Sequence, residues 1–226
     1  NGGIDYIINI LKNIGRNWGH ITEVNKDGLC MINLKTLGIF FHILGLNEIL
    51  FLEDKLVKRN NYFYDDLLER NSIVSDRDNT KLKINILNYR KAYYKENTPE
   101  INSNIKSLCH EYIEGMQWIL SYYTTGIPTW DWCFKHHYAP FSSDIAKYLE
   151  DYKQIVYKVS KPSTPFQQLL CVLPPKSYRL IPNPLNKLLT TKKSSLLLKY
   201  CPDYIEIDLA GKSKRCEGIV LLPFID

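Results

Sequence analysis

Residues 105–124 read IKSLCHEYIEGMQWILSYYT, and this stretch decides the fold class. Leu108, Tyr112, Met116, Ile119, Leu120 and Tyr123 recur at helical intervals, the pattern of an α-helix that buries one side. Gly115 stands in the middle of that stripe. An interior glycine costs a helix about 1 kcal/mol against alanine, so its presence predicts a close approach there, with another backbone as the expected neighbour. Gly126 and Pro128 end the helix.

Toward the N-terminus, Ile4, Ile7, Ile8, Leu11 and Ile14 predict a first helix closed by Gly15. Asn33 is a cap for a second, with Leu34, Leu37, Phe40, Phe41 and Leu44 on its apolar side and Gly45 as its stop. Leu46 to Val57 reads as a third amphipathic segment, and the polar stretch Trp18 to Asp27 as a link with a short extended piece. Residues 59–104 are rich in Asn, Lys, Asp and Tyr, with little periodicity before Tyr89; that composition predicts an insertion or mobile linker.

Toward the C-terminus, Thr129 to Asp144 is dense in aromatics and histidines and broken by Pro140, which predicts a structured loop. Phe166 to Leu173 is a short apolar segment between prolines. Ile205, Ile207 and Leu209 alternate with Glu206 and Asp208, Ala210-Gly211-Lys212 makes a turn, and Ile219 to Leu222 returns as a hairpin partner. The expected architecture is mainly α: a helical domain with a small β hairpin near the C-terminus and long ordered loops. It divides into a helical part, 1–58, a linker or insertion, 59–104, and a helical and loop part, 105–226.

The 226 residues, 45% hydrophobic and 23% charged, have ordinary globular composition, which excludes a wholly disordered or collagenous chain. No uninterrupted apolar run approaches the length of about 18 residues that crosses a bilayer, so no membrane span is expected. The chain opens at Asn1 without a basic or apolar leader, and is read as a fragment of a longer, non-secreted protein. The six cysteines are scattered and form no C-x-x-C pair, which argues against structural zinc and for a reducing, intracellular setting. Cys133, His136 and His137 are the nearest approach to a ligand cluster, with no partner pair elsewhere.

Net charge is +5, and its distribution is informative. Between Tyr152 and Pro202 there are nine Lys or Arg and no Asp or Glu. That stretch is either a surface that faces phosphate or a solvated lysine-rich loop region. The acids occur as doublets, Glu53-Asp54, Asp65-Asp66 and Glu150-Asp151. Adjacent residues point to different helix faces, so no doublet makes a metal cup unaided, and no phosphate-binding loop, nucleophile elbow or zinc-protease helix is present. By sequence chemistry alone the chain is not a complete enzyme.

The conspicuous feature is Trp130-Asp131-Trp132, followed by Phe134, Lys135, His136, His137 and Tyr138. Two tryptophans two apart share a side if the loop is extended. Beside Lys135 they would offer stacking surfaces to single-stranded bases, at about 1–3 kcal/mol per base; the competing reading makes both rings core anchors of the loop.

The same residues carry a family resemblance. Tyr112-Ile-Glu-Gly-Met-Gln-Trp118-Ile-Leu-Ser-Tyr122-Tyr123, Trp130-Asp-Trp132 and His137-Tyr138-Ala139-Pro140-Phe141-Ser-Ser-Asp144 resemble the second conserved region of the XRN 5′→3′ exoribonucleases. So do Pro165-Phe166 through Pro174, Asp208-Leu-Ala-Gly211-Lys212, Leu222-Pro223-Phe224-Ile225-Asp226 and, upstream, Gly19-His-Ile-Thr-Glu23 with Ile32-Asn33-Leu34. The resemblance covers about residues 4–56 and 89–226. Lys135 and His136 stand where the family pattern has Pro and Tyr, Thr124 replaces a Tyr, Cys201 another Tyr, and Cys216 a Trp.

The resemblance implies a helical region of an exonuclease that degrades single-stranded RNA with a 5′-monophosphate to mononucleotides. It implies that the Mg²⁺ carboxylates lie in a separate N-terminal nuclease region of the same protein, and that this region lines their access. Trp130, Trp132, Lys135, His137 and Tyr138 are the RNA-binding candidates; no catalytic or metal-ligating residue is assigned to this chain, and no membrane partner. A non-catalytic RNA-binding or protein-interaction descendant is the alternative. The ending Glu217 to Phe224 leans to the nuclear type and Met116-Gln117-Trp118 to the cytoplasmic.

Overall fold

The computed structural model describes residues 3–58, 63–75, 78–190, 200, 202 and 204–224. Among them the order is α1 (Gly3–Asn17), a hairpin of β1 (Thr22–Val24) and β2 (Cys30–Ile32), α2 (Leu34–Lys58), α3 (Asp66–Arg70), a second hairpin of β3 (Ser72–Ser75) and β4 (Asp78–Ile84), and α4 (Ile86–Asn97). A 3-10 turn at Pro99–Ile101 leads into α5 (Ile105–Thr124), α6 (Ser142–Tyr148), α7 (Pro165–Val172) and α8 (Lys187–Thr190). Last comes an antiparallel hairpin of β5 (Glu206–Asp208) and β6 (Ile219–Leu221), with Ile207 opposite Val220. The fold is mainly α, with the expected hairpin near the C-terminus.

The largest core gathers Leu37, Phe40 and Phe41 of α2, Cys109 and Ile113 of α5, Ile145 of α6 and Ile10 and Ile14 of α1. Burying each such aliphatic or aromatic side chain stabilises by about 1.5–3 kcal/mol. Two smaller cores lie beside it, around Leu56, Leu68, Ile84 and Tyr89, and around Tyr94, Ile101 and Leu108. Both draw on residues 63–104, so the stretch read as an insertion or mobile linker supplies helices, a hairpin and buried side chains. Its polar composition concealed a pattern spread over short elements, in which Asn85 and Asn104 are spent as helix caps.

Three local expectations are corrected. α2 does not stop at Gly45: it runs unbroken from Leu34 to Lys58. A Cβ at Gly45 would lie 2.8 Å from the Ser143 Cα, so this glycine lets α6 cross α2 closely instead of ending the helix. The Glu48 carboxylate then accepts the Ser142 and Ser143 backbone N–H groups and the Ser143 hydroxyl, satisfying an α6 N-terminus whose own cap residue, Phe141, has no acceptor. Within Leu34–Val57 an 18-residue window reaches a mean hydropathy of 1.4, so by length and composition the helix could cross a bilayer, although Lys35, Asn47 and Glu48 interrupt its apolar run. Its contacts with α6, β4 and α1 identify it as the spine of this fold.

α1 also differs. Tyr6, Ile10 and Ile14, spaced by four, face the core, whereas Ile4, Ile7, Ile8 and Leu11 are exposed, and the helix continues through Gly15. Two apolar stripes compete on one short helix, and packing against α2 selects one. Finally, Gly115 accommodates an indole, not a backbone: a Cβ there would sit 2.7 Å from Trp132.

Candidate nucleic-acid interface

Trp118 and Tyr122 are one turn apart on α5, so their rings meet on one side of the helix. The planes stack at 5.6 Å and 10°. Trp132, reaching over from the loop, stacks on the other face of this series at 6.2 Å from Trp118 and 23°, its ring lying over the notch left by Gly115. Tyr123 adds an edge contact to Tyr122 and is 80% exposed. Stacking of this kind is worth about 0.5–1.5 kcal/mol per pair beyond area burial. Burial lifts the Glu114 carboxyl above its ordinary range, opposed by a hydrogen bond from the Trp132 side chain. The Trp118 indole N–H donates to the Thr129 carbonyl at 3.1 Å, tying the loop to α5.

Trp130 is 52% exposed and turned to solvent. Its backbone N–H donates to the Ser160 hydroxyl at 2.7 Å, and Ser160 also meets Thr129 at 3.0 Å. These contacts belong to a strap, residues 153–164, that has no regular structure. The strap is held along α5 by the Tyr157 hydroxyl, which donates to the Glu114 carbonyl at 2.6 Å, and by Gln154, whose amide donates to Gln117 and Ile32. Lys158 and Lys161, on either side of Ser160, are exposed. Two cations of the basic stretch therefore flank the residue that bonds the Trp130 backbone. Lys192, Lys193 and Lys199 lie outside the described residues.

The second half of the loop is pinned differently. Lys135 is exposed. His136 is enclosed, its side chain 7% exposed, between Glu100 at 2.6 Å and Glu111 at 3.1 Å. The His137 ring packs on Phe224 at 4.5 Å. The Tyr138 hydroxyl donates to Asp208 at 2.6 Å, and burial together with that carboxylate pushes its phenol well above the ordinary range. The five sequence candidates thus separate: Trp130 and Lys135 present themselves to solvent, Trp132 completes a stack, and His137 and Tyr138 anchor the loop to the C-terminal hairpin. Trp118 and Tyr122 were not among those candidates, the aromatic pair at i, i+4 being the signal for them, and the strap lysines entered only as part of the basic stretch.

Cys133 is exposed, but both ring nitrogens of His136 face carboxylates, so the trio Cys133, His136 and His137 does not converge. Among the described residues no three His, Cys, Asp or Glu side chains come together to hold a metal ion. What the site offers is flat aromatic surface on a loop that carries exposed Lys135 and is bonded to a strap carrying exposed Lys158 and Lys161, residue types suited to base stacking and phosphate neutralisation.

A family model described as the Xrn1 helical domain matches residues 45–226. The 5′-3′ exoribonuclease 1 of Saccharomyces cerevisiae is 37% identical over 162 residues, which is 68% of this chain and 10% of that protein. Human 5′-3′ exoribonuclease 1 is 43% identical over 115 residues, 51% of this chain and 7% of the relative. The 5′-3′ exoribonuclease 2 of Candida albicans is 36% identical over 144 residues, 61% of this chain and 15% of the relative. The chain spans a small fraction of the length of these curated relatives.

Proposed function

The chain belongs to the Xrn1 helical domain family, and from that premise we propose that it is the helical part of a 5′→3′ exoribonuclease acting on single-stranded RNA with a 5′-monophosphate. The observation that carries the reading is exposed Trp130 two residues from the ring of the Trp132–Trp118–Tyr122 stack, in a loop that carries exposed Lys135 and is hydrogen-bonded through Ser160 to the strap of exposed Lys158 and Lys161. Flat rings that accept any base, with cations that accept the backbone, suit a strand that must slide as it is shortened. Such binding is independent of sequence, as processive degradation requires. His137 and Tyr138 serve by holding the loop.

The carboxylates of the described residues do not fit a Mg²⁺ centre. Asp65 is taken by Lys55, Asp208 by Tyr138 and Asp144 by Arg90 and Tyr94. The hydrolytic step is assigned to an N-terminal nuclease region of the same protein, for which this helical region forms the wall of the substrate path. Five thiols without disulfides among the described residues suit a reducing intracellular setting.

The test compares this chain with one extended to the length of its relatives, on 5′-monophosphate and 5′-hydroxyl single-stranded RNA with Mg²⁺. Digestion by the extended chain alone, favouring the monophosphate and weakened in Trp130→Ala with Trp132→Ala, is the expected result. An extended chain that is folded yet inert overturns the nuclease assignment and leaves a non-catalytic RNA-binding or protein-interaction role.

A further inference from the structure

Resting on that RNA-facing reading, we propose that His136 is a positioning residue whose second ring proton sets how firmly the Trp130–Lys135 segment holds single-stranded RNA. In the family pattern that this chain resembles, Tyr stands at this place and Pro before it. Here Lys135 is the exposed cation of the loop and His136 is the side chain that fixes the backbone beside it.

The His136 Nδ1 lies 2.6 Å from a Glu100 oxygen, and its Nε2 lies 3.1 Å from a Glu111 oxygen. A neutral imidazole has one N–H and can donate to only one carboxylate, turning a lone pair toward the other. The imidazolium donates to both. Glu111 is held in place by the Ser107 hydroxyl, which donates to its other oxygen at 3.1 Å. The ring also meets Phe134 edge-on at 5.1 Å, and Phe134 in turn packs on Tyr112 of α5. The ionisable groups meeting the imidazole are therefore Glu100 from the 3-10 turn before α5 and Glu111 from α5; its own loop adds the exposed Lys135.

Losing the second proton has two consequences that act in the same direction. One of the two bonds that join the loop to the turn and to α5 turns from attraction into lone-pair repulsion, and the segment loosens. Glu100 and Glu111 then lie about the His136 ring without a cation between them, one residue along the chain from Lys135, and oppose the phosphates that Lys135 would meet. RNA is held when His136 is doubly protonated and released as it becomes neutral.

The experiment is fluorescence anisotropy of a labelled oligouridylate, roughly ten nucleotides long, with the full 226-residue chain at constant salt, at about pH 6 and about pH 8. The expected affinity falls about three- to fivefold between the two, the size of a partly exposed charge effect. His136→Tyr is expected to be flat with pH, which separates His136 from His137 and every other titrating group. Glu100→Gln is the informative rescue: its amide can donate to a neutral imidazole while the imidazole donates to Glu111, so this variant binds at about pH 8 as the unmodified chain does at the lower pH. A residue that only supported the loop would change affinity without changing the pH slope. Binding with no slope in the unmodified chain, or with a slope retained in His136→Tyr, overturns this inference alone. No binding by the folded chain at either pH overturns the RNA-facing reading and this inference with it.

Discussion

Gly115→Ala tests the packing of the aromatic stack. Intrinsic helix preference favours the substitution by about 1 kcal/mol, because Gly115 lies inside α5. The structure opposes it: the new methyl would sit 2.7 Å from the terminal ring carbon of Trp132, and a second ring carbon lies at 3.4 Å. Carbon atoms settle about 3.5–4 Å apart, so the indole must retreat by roughly 1 Å. It is a rigid ring held by Trp118 and by Glu114, so it cannot give way by a simple rotation. Overpacking of this kind costs about 1–3 kcal/mol, and disturbing the stack adds about 0.5–1.5 kcal/mol. The clash wins, and the net destabilisation expected is about 1–3 kcal/mol. Equilibrium urea unfolding measures it, with near-ultraviolet circular dichroism reporting the stacked indoles. In a Trp132→Leu background the obstruction is gone and Gly115→Ala becomes stabilising by about 1 kcal/mol. A stabilising effect in the unmodified chain, or the same effect in both backgrounds, refutes the packing argument.

Gly45→Ala meets backbone instead, with Ser143 Cα, Cβ and N all within 2.9 Å of the new atom; it should destabilise by at least about 2–3 kcal/mol, measured by thermal or urea unfolding. Gln117→Leu leaves the Ile32 N–H and the Cys30 carbonyl without the side chain that now serves both, in a position only 2% exposed. A loss of about 2–3 kcal/mol is expected, together with faster hydrogen exchange at Ile32. Tyr152→Phe should stabilise by about 1 kcal/mol, because that buried hydroxyl has no hydrogen-bond partner among the described residues. Burial pushes the Tyr152 phenol up to about 12, so the unfolded chain gives up this proton first, and stability falls as pH rises from about 10, an unperturbed phenol's value, to about 12. Alkaline unfolding curves of Tyr152→Phe should be flatter over that window.

Local periodicity was enough to read the helical class, α5 and its end near Gly126, and the C-terminal hairpin from its alternation and turn. Each rests on interactions between residues close in the chain, which a sequence displays directly. The RNA-facing candidates were legible as a cluster of ring and cation types, Trp130, Trp132 and Lys135 among them. Which rings stay in solvent was not legible. Trp130 and Trp132 are chemically identical and two residues apart, yet only Trp132 meets a notch, Gly115, seventeen positions upstream.

The remaining decisions were tertiary throughout. α1 carries two apolar stripes, and α2 chooses between them. Gly45 has the local signature of a helix stop, but the close crossing of α6, nearly a hundred residues later, makes it a contact point within one continuous helix. Ser160 brings the exposed lysines of the strap beside Trp130, and His136 meets two carboxylates from separate elements. By itself the sequence determined the mainly helical class and the strongly periodic α5, where the aromatic and basic residues concentrate, and which family's motifs the chain carries, because propensity, periodicity and spacing are local properties. Tertiary structure alone decided which faces are buried, which glycines are notches, and which side chains share a surface, because those depend on where chain segments far apart in sequence come to rest against one another.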